Sequence, residues 1–228
     1  TPVFVDIDPD TYNIEPAKLA DAIVETKREG ALIPKAIVPV DLFGLPADYD
    51  QILPIAKDHD LFVLEDAAQA FAAEHRGQRA PSLGHAGATS FFPAKPLGCY
   101  GDGGAAFTDD DKLAEIMRSI RIHGKGADKY SNVRVGLNAR MDTLQAAILL
   151  EKLAIYPEEL AMRNGVADRY IDALRHVNGL KLPIIPDGHR SVWAQFSVQS
   201  EHREEIQAHL KSAGIPTAVY YVCPLHLL

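Results

Sequence analysis

Lys95 sits in Thr89-Ser90-Phe91-Phe92-Pro93-Ala94-Lys95-Pro96-Leu97-Gly98, a turn bounded by proline and glycine. Upstream, Glu65-Asp66-Ala67-Ala68-Gln69-Ala70 follows an apolar run at residues 61–64. A lysine in a tight turn and an acid at the end of a buried strand have one familiar joint use. The lysine forms a Schiff base with pyridoxal 5'-phosphate, and the carboxylate pairs with the pyridinium nitrogen. Asp66 is the acid of that pair: it must stay ionised so that the protonated ring can accept electrons from a substrate carbanion. Pro93 and Pro96 stiffen the turn, Phe91 and Phe92 make its approach apolar, and Gly98 permits close backbone packing. Apolar surroundings favour the neutral amine, the form that attacks a carbonyl. Gln69, three residues past Asp66, falls on the same face of a short helical turn and can donate to the ring's phenolic oxygen. Ser90, five residues before Lys95, offers its hydroxyl to the phosphate. Each also has an ordinary use: Asp66 as the cap of the next turn, Gln69 as a solvated amide, Ser90 as a hydroxyl satisfied within its strand.

The elements that must hold these residues follow from the hydrophobic pattern. Strands are expected at 3–7, 36–40, 61–64, 86–92 and 103–107, with helices at 15–28 (Pro16 in its first turn) and 48–59 (Asp48 as N-cap) between them. Strands alternating with helices predict βαβ units and a mainly parallel sheet, whose ligand crevice lies at the carboxyl ends of the strands. Asp66 lies just past one such end, and Ser90 and Lys95 flank another. Further on come a helix at 110–121 capped by Thr108 or Asp109, a Gly-rich polar loop at 123–136, and a helical stretch at 142–178 interrupted near Pro157. A Pro-rich linker (182–188) leads to an expected strand (192–198), helix (203–213) and strand (217–222), the beginning of a smaller α/β domain. The division is therefore 1–155 for the large domain and 156–228 for the long helix and a partial small domain.

Composition excludes several other classes. The 228 residues are 47% hydrophobic and 24% charged with a formal net charge of −8 and no basic block, so nucleic acid is not an expected partner. No stretch approaches the roughly 20 apolar residues a membrane helix needs. Cys99 and Cys223 are too few for a disulfide framework, and a reducing cytosol is the default. The nine histidines show no metal-ligand spacing, so no metal is expected, and His59, His75, His176, His202 and His209 are assigned to the surface. Gly101-Asp102-Gly103-Gly104 precedes a strand and reads as a turn; there is no Walker motif and no Gly-x-Ser-x-Gly elbow. The chain opens without Met and ends on apolar residues, as an internal piece of a longer protein would.

The two motifs above, together with Tyr100-Gly101-Asp102-Gly103-Gly104-Ala105, Arg121-Ile122-His123-Gly124 and Gly136-Leu137-Asn138-Ala139-Arg140-Met141-Asp142-Thr143-Leu144-Gln145-Ala146-Ala147, are similar in identity and order to the DegT/DnrJ/EryC1/StrS family of sugar aminotransferases. The resemblance implies an α/β, fold-type I architecture like that of aspartate aminotransferase, with pyridoxal 5'-phosphate as cofactor. It implies Lys95 as Schiff-base lysine and proton shuttle, Asp66 against the pyridinium, Gln69 at the ring oxygen or ring face, and Ser90 on the phosphate. Asn138 and Arg140 would reach into the neighbouring subunit's site of a homodimer, Asn138 to the phosphate and Arg140 to an anionic group of the substrate. Tyr220, Tyr221 and His226 would line the sugar pocket. The segment 90–105 resembles most one branch, whose members use glutamate to aminate the 3-oxo group of UDP-2-acetamido-2-deoxy-3-oxo-glucuronate for bacterial surface polysaccharide. A C4 or dTDP-sugar aminotransferase, or a truncated non-catalytic relative, stands as the alternative. The family's dehydratase branch carries His where Lys95 stands. Ala139 departs from the Ser of many relatives, and the family's N-terminal phosphate-binding helix start and ring-stacking aromatic have no counterpart here.

Overall fold

A computed structural model describes residues 1–128 and 130–227; the polar loop 123–136 and the apolar end 224–228 each include one residue outside this set, Lys129 and Leu228. Helix α1 (Pro16–Glu29) starts at a proline whose missing N–H is not needed in a first turn. It stops at Gly30, whose φ of 70° lets its N–H close on the Thr26 carbonyl. Leu19, Ile23 and Thr26 recur at helical spacing and face inward. Strand β1 (Ala36–Ile37) leads through a single turn, Leu42–Gly44, to α2 (Tyr49–Asp58), where the Asp48 carboxylate caps the Gln51 N–H at 3.2 Å. Strand β2 (Phe62–Asp66) precedes a hairpin of β3 (Glu74–His75) and β4 (Gln78–Arg79). Then follow β5 (Ala86–Ser90), β6 (Gly104–Phe107), α3 (Asp111–Arg121), α4 (Thr143–Leu174), β7 (His189–Arg190) and α5 (Arg203–Ser212).

The main sheet runs β1-β2-β5-β6, with β1, β2 and β5 parallel and β6 antiparallel to β5; a small antiparallel sheet runs β4-β3-β7. Ile37 and Val63 point from the main sheet into a core completed by Leu19, Ile23, Ile52 and Ala56. Full burial of each large aliphatic there contributes about 1.5–3 kcal/mol. A second core joins Phe91, Leu97 and Cys99 to Leu149 and Tyr156 of α4. It therefore lies directly under the turn that carries Lys95. Among the described residues no helix is long and apolar enough to cross a membrane.

Several sequence expectations change. Asp110, not Thr108 or Asp109, caps α3, its Oδ1 accepting from the Lys112 and Leu113 N–H groups at 2.8 and 3.0 Å. Helix α4 runs 32 residues through Pro157 without interruption. The carbonyl four residues back belongs to exposed Leu153, so solvent can replace the missing donor. No strand forms at 3–7, where Ile7 makes only a bridge to Ile14. None forms at 192–198 either: Val192 and Ala194 donate instead to the Gly44 and Phe43 carbonyls at 2.9 and 3.0 Å. Residues 217–222 are likewise irregular, and no described strand lies beside them to accept a ladder. His75, assigned to the surface, is 3% exposed: it packs edge-on against Tyr49 and bonds His189.

Candidate functional site

The site is built at the carboxyl ends of two adjacent parallel strands. Asp66 ends β2 in register with Ala88 of β5, so Ser90 and the turn beyond it leave the sheet on the same side as Asp66. Asp66 is fixed by its backbone: its N–H donates to the Pro39 carbonyl at 2.9 Å, and its carbonyl accepts from Asp41 at 3.0 Å. Its half-buried carboxylate uses Oδ1 to accept the Ala68 N–H at 3.1 Å, the turn-capping role open to it from sequence. Ser90, also half-buried, uses its Oγ to accept the Phe92 N–H at 3.2 Å.

Lys95 is held by its turn. The Lys95 N–H closes on the Phe92 carbonyl at 2.9 Å, and the Cys99 N–H returns to the Phe91 carbonyl at 2.8 Å. Gly98 is required here, because a Cβ at that position would stand 2.7 Å from the carbonyl oxygens of both Phe92 and Pro93. Two side chains of α4 that sequence reasoning passed over brace the turn. Lys152 Nζ donates to the Gly98 carbonyl at 2.5 Å and lies 5.0 Å over the Tyr100 ring. Gln145 Oε1 accepts the Tyr100 N–H at 2.8 Å. Gln145 stands only as a member of the motif at 136–147 with no role given to it, and Lys152 lies outside every motif. Lys95 itself is half-buried, and among the described residues its ammonium makes no hydrogen bond or ion pair.

Gln69 is engaged on both ends of its amide. Oε1 accepts the Phe43 N–H at 2.7 Å, and Nε2 donates to the Tyr221 hydroxyl at 3.2 Å. Tyr221 also stacks on Phe43, with ring centroids 6.5 Å apart and planes 13° from parallel. Phe43 has a φ of 59°, an unusual region for a bulky residue, and was not foreseen as part of the site. The structure thus joins Gln69 to the segment holding Tyr220, Tyr221 and His226. Tyr220 lies edge-on to Tyr221 and is half-exposed, while exposed His226 meets the Phe4 ring at 5.7 Å. Asn138 and Arg140 are exposed and bond each other, Arg140 Nη2 to Asn138 Oδ1 at 3.3 Å. Neither bonds Lys95, Asp66, Gln69 or Ser90 among the described residues.

A half-buried amine, a carboxylate with its Oδ2 unspent and a hydroxyl, on neighbouring strand ends, form the donor set that pyridoxal phosphate requires. The residues present fit that group. Two other features do not compete with it. A hollow of 390 Å³ between α4 and residues 193–196 is walled mainly by Met162, Val166, Tyr170, Trp193 and Phe196, with Glu159 and Arg163 among its polar lining, and holds neither Lys95 nor Asp66. Asp48, Asp50 and His75 bring potential ligand atoms within 4.8 Å of one another. However, Asp50 faces His75 Nε2 at 3.2 Å and Arg76 with its other oxygen, and Asp48 caps α2, so the group reads as an ion-pair cluster.

The model of the DegT/DnrJ/EryC1/StrS aminotransferase family matches residues 1–228. The chain is 52% identical over 225 residues to the UDP-2-acetamido-2-deoxy-3-oxo-D-glucuronate aminotransferase of Pseudomonas aeruginosa, covering 99% of this chain and 60% of that protein. It is 45% identical over 229 residues to a pleiotropic regulatory protein of Geobacillus stearothermophilus, covering 99% of this chain and 59% of that one. A crystal structure of a DegT DnrJ EryC1 StrS aminotransferase from Brucella abortus superposes with a TM-score of 0.97 at 54% identity, over 100% of this chain and 60% of that one. The chain therefore spans about 60% of the length of the relatives it matches. Its architecture is the fold-type I arrangement expected from sequence, in partial form. Sheet, motif order and sequence agree that the chain belongs to the DegT/DnrJ/EryC1/StrS aminotransferase family.

Proposed function

We propose that the protein to which these residues belong transfers an amino group from glutamate to a nucleotide-linked oxo-sugar, using pyridoxal phosphate held on Lys95. The observation that carries this reading is the pairing of Lys95 and Asp66 at adjacent parallel strand ends, with Lys95 braced from α4. Bound pyridoxal phosphate supplies a carbonyl for covalent attachment and an electron sink for the carbanion. Asp66 holds the proton on the ring nitrogen by ion pairing. Ser90 donates its hydroxyl to the phosphate, and Gln69 turns one end of its amide from Tyr221 to the ring oxygen. With the cofactor bound, the Lys95 amine would take the α-proton of the substrate and hand it back two atoms along, across the intervening nitrogen; such positioned proton transfer contributes about 10²–10⁴-fold. The sugar half-reaction uses the same groups in reverse order. Arg140 pairs with an anionic group of the substrate, and its exposure beside Asn138 supports a site completed between two subunits of a homodimer. Tyr220, Tyr221 and His226 face the sugar.

The likeness to the Pseudomonas enzyme supports UDP-2-acetamido-2-deoxy-3-oxo-glucuronate as the acceptor; surface polysaccharide as the destination follows from the branch that the segment 90–105 resembles. The test is an assay of the full-length protein against UDP- and dTDP-linked 3-oxo and 4-oxo sugars, with glutamate as donor. Amination at C3 of the UDP-oxo-glucuronate, with release of 2-oxoglutarate, is expected. Preference for a dTDP-sugar or for C4 would move the protein to another branch, and no transfer to any of them would overturn the reading.

A further inference from the structure

Behind Asp66 lies a second pair of acids that the transfer chemistry leaves unused. Asp41 and Glu65 are each fully enclosed, at 0% exposure. Asp41 Oδ1 accepts from the Ala47 N–H at 2.9 Å and from the Tyr49 hydroxyl at 3.1 Å, while Oδ2 has no partner. Glu65 Oε2 accepts from the Leu83 and Gly84 N–H groups at 2.7 and 3.2 Å, while Oε1 has none. The two carboxyls lie close enough to interact with each other. Around them stand the Tyr49 phenol from α2, the Asp66 carboxylate at the end of β2, and backbone N–H groups. Two enclosed like charges this close cannot both persist, and a hydrogen held between the two carboxyls would satisfy both unpartnered oxygens.

We propose that Asp41 and Glu65 share one proton across their remaining oxygens, and that this pair is a positioning element for Asp66 and Gln69. Burial, reinforced for Asp41 by the Glu65 charge, pushes both carboxyls above the ordinary range. The pair ties together the turn after β1, the end of β2 and the turn before β5. The first of these supplies the Asp41 N–H that fixes the Asp66 carbonyl and the Phe43 N–H that holds Gln69. Glu65 and Asp66, consecutive on β2, point to opposite faces: one anchors the strand end from within, and the other serves the site. This second half rests on the role of Asp66 given above.

Asp41→Asn keeps the acceptor for Ala47 and Tyr49 and offers an N–H to Glu65, so it replaces the shared proton with a permanent one. The full-length protein is unfolded by denaturant without cofactor between about pH 5 and about pH 8 as wild type, Asp41→Asn, Glu65→Gln and Asp41→Ala. The folded pair keeps a proton that the unfolded chain releases above about pH 4. The wild-type unfolding constant should therefore rise about tenfold more per pH unit than that of Asp41→Asn or Glu65→Gln, until the pair's own raised range is reached. Equal pH dependence overturns the shared proton. Cofactor titration followed by absorbance tests the positioning role. Asp41→Ala should bind about tenfold more weakly, the scale of one lost coupling between contacting residues, with less of the protonated-ring band, and Asp41→Asn should restore both. Asp41→Ser replaces Asp41→Ala should the latter not fold. Wild-type absorbance and affinity in a folded Ala or Ser variant overturns the positioning role. Failure of the wild type itself to bind cofactor overturns that role together with the functional reading, while the unfolding comparison still decides the proton.

Discussion

Gly98 decides where Lys95 can stand. The glycine lets the chain fold back on the Phe92 and Pro93 carbonyls, and any Cβ there would force the turn open. Overpacking of this kind costs about 1–3 kcal/mol, but its larger effect falls on geometry. Gly98→Ala should leave the sheet folded and displace the amine, lowering kcat by about 100-fold, the scale of a 1 Å misplacement. Circular dichroism and steady-state kinetics on the full-length protein check this; a folded variant with wild-type kcat would show that the turn does not set the position of Lys95. The other site residues answer to neighbours of equally local character. Asp66 and Ser90 each accept one backbone N–H within two residues, interactions weak enough for a ligand to replace.

Among the elements, legibility followed periodicity. The three parallel strands, α1, α2 and the cap at Asp48 could be read because apolar spacing and capping residues are local signals. The motif at 65–70 and the turn at 89–98 could be read because Pro, Gly and Lys occur there in an order with few structural uses. What escaped depends on distant contacts. Gln145 and Lys152 reach the Lys95 turn only because α4 crosses it, and Phe43 enters the site through its backbone N–H. The stretch 192–198 has strand-forming residues, but its backbone bonds are taken by Phe43 and Gly44. His75 was misjudged because its burial depends on β7, more than a hundred residues away. That pairing has a consequence for pH. His189 sits with Nε2 2.8 Å from His75 Nδ1 and Nδ1 3.3 Å from the Asp187 carbonyl; burial above all lowers its pKa, partly offset by that carbonyl. A histidine depressed in the fold stabilises fully above its unfolded value and loses that contribution as pH falls from about 6.5 toward the folded value. Amides of β3 and β7 should therefore lose exchange protection between about pH 7.5 and about pH 5.5, corrected for intrinsic rates. His189→Gln should remove most of the difference, and protection unchanged with pH in the wild type would contradict this account.

At the scale of the molecule, one face of the main sheet packs against α1 and α2, while Val38, Val40, Phe62 and Leu64 stay substantially exposed. Parallel sheets ordinarily have both faces covered. The long helix α4 likewise shows Leu144, Leu150, Leu153, Ile155 and Met162 to solvent. These surfaces belong to a chain that spans about 60% of its relatives' length, so function is best measured on the full-length protein. The central claim is that Lys95 carries the cofactor, and one titration tests it: pyridoxal phosphate added to the full-length wild type and to Lys95→Ala, with visible absorbance recorded before and after addition of glutamate. The wild type should develop a lysine-dependent band that glutamate bleaches, and Lys95→Ala should show only the spectrum of the unattached cofactor and no turnover. The same band and the same turnover in Lys95→Ala would contradict the account.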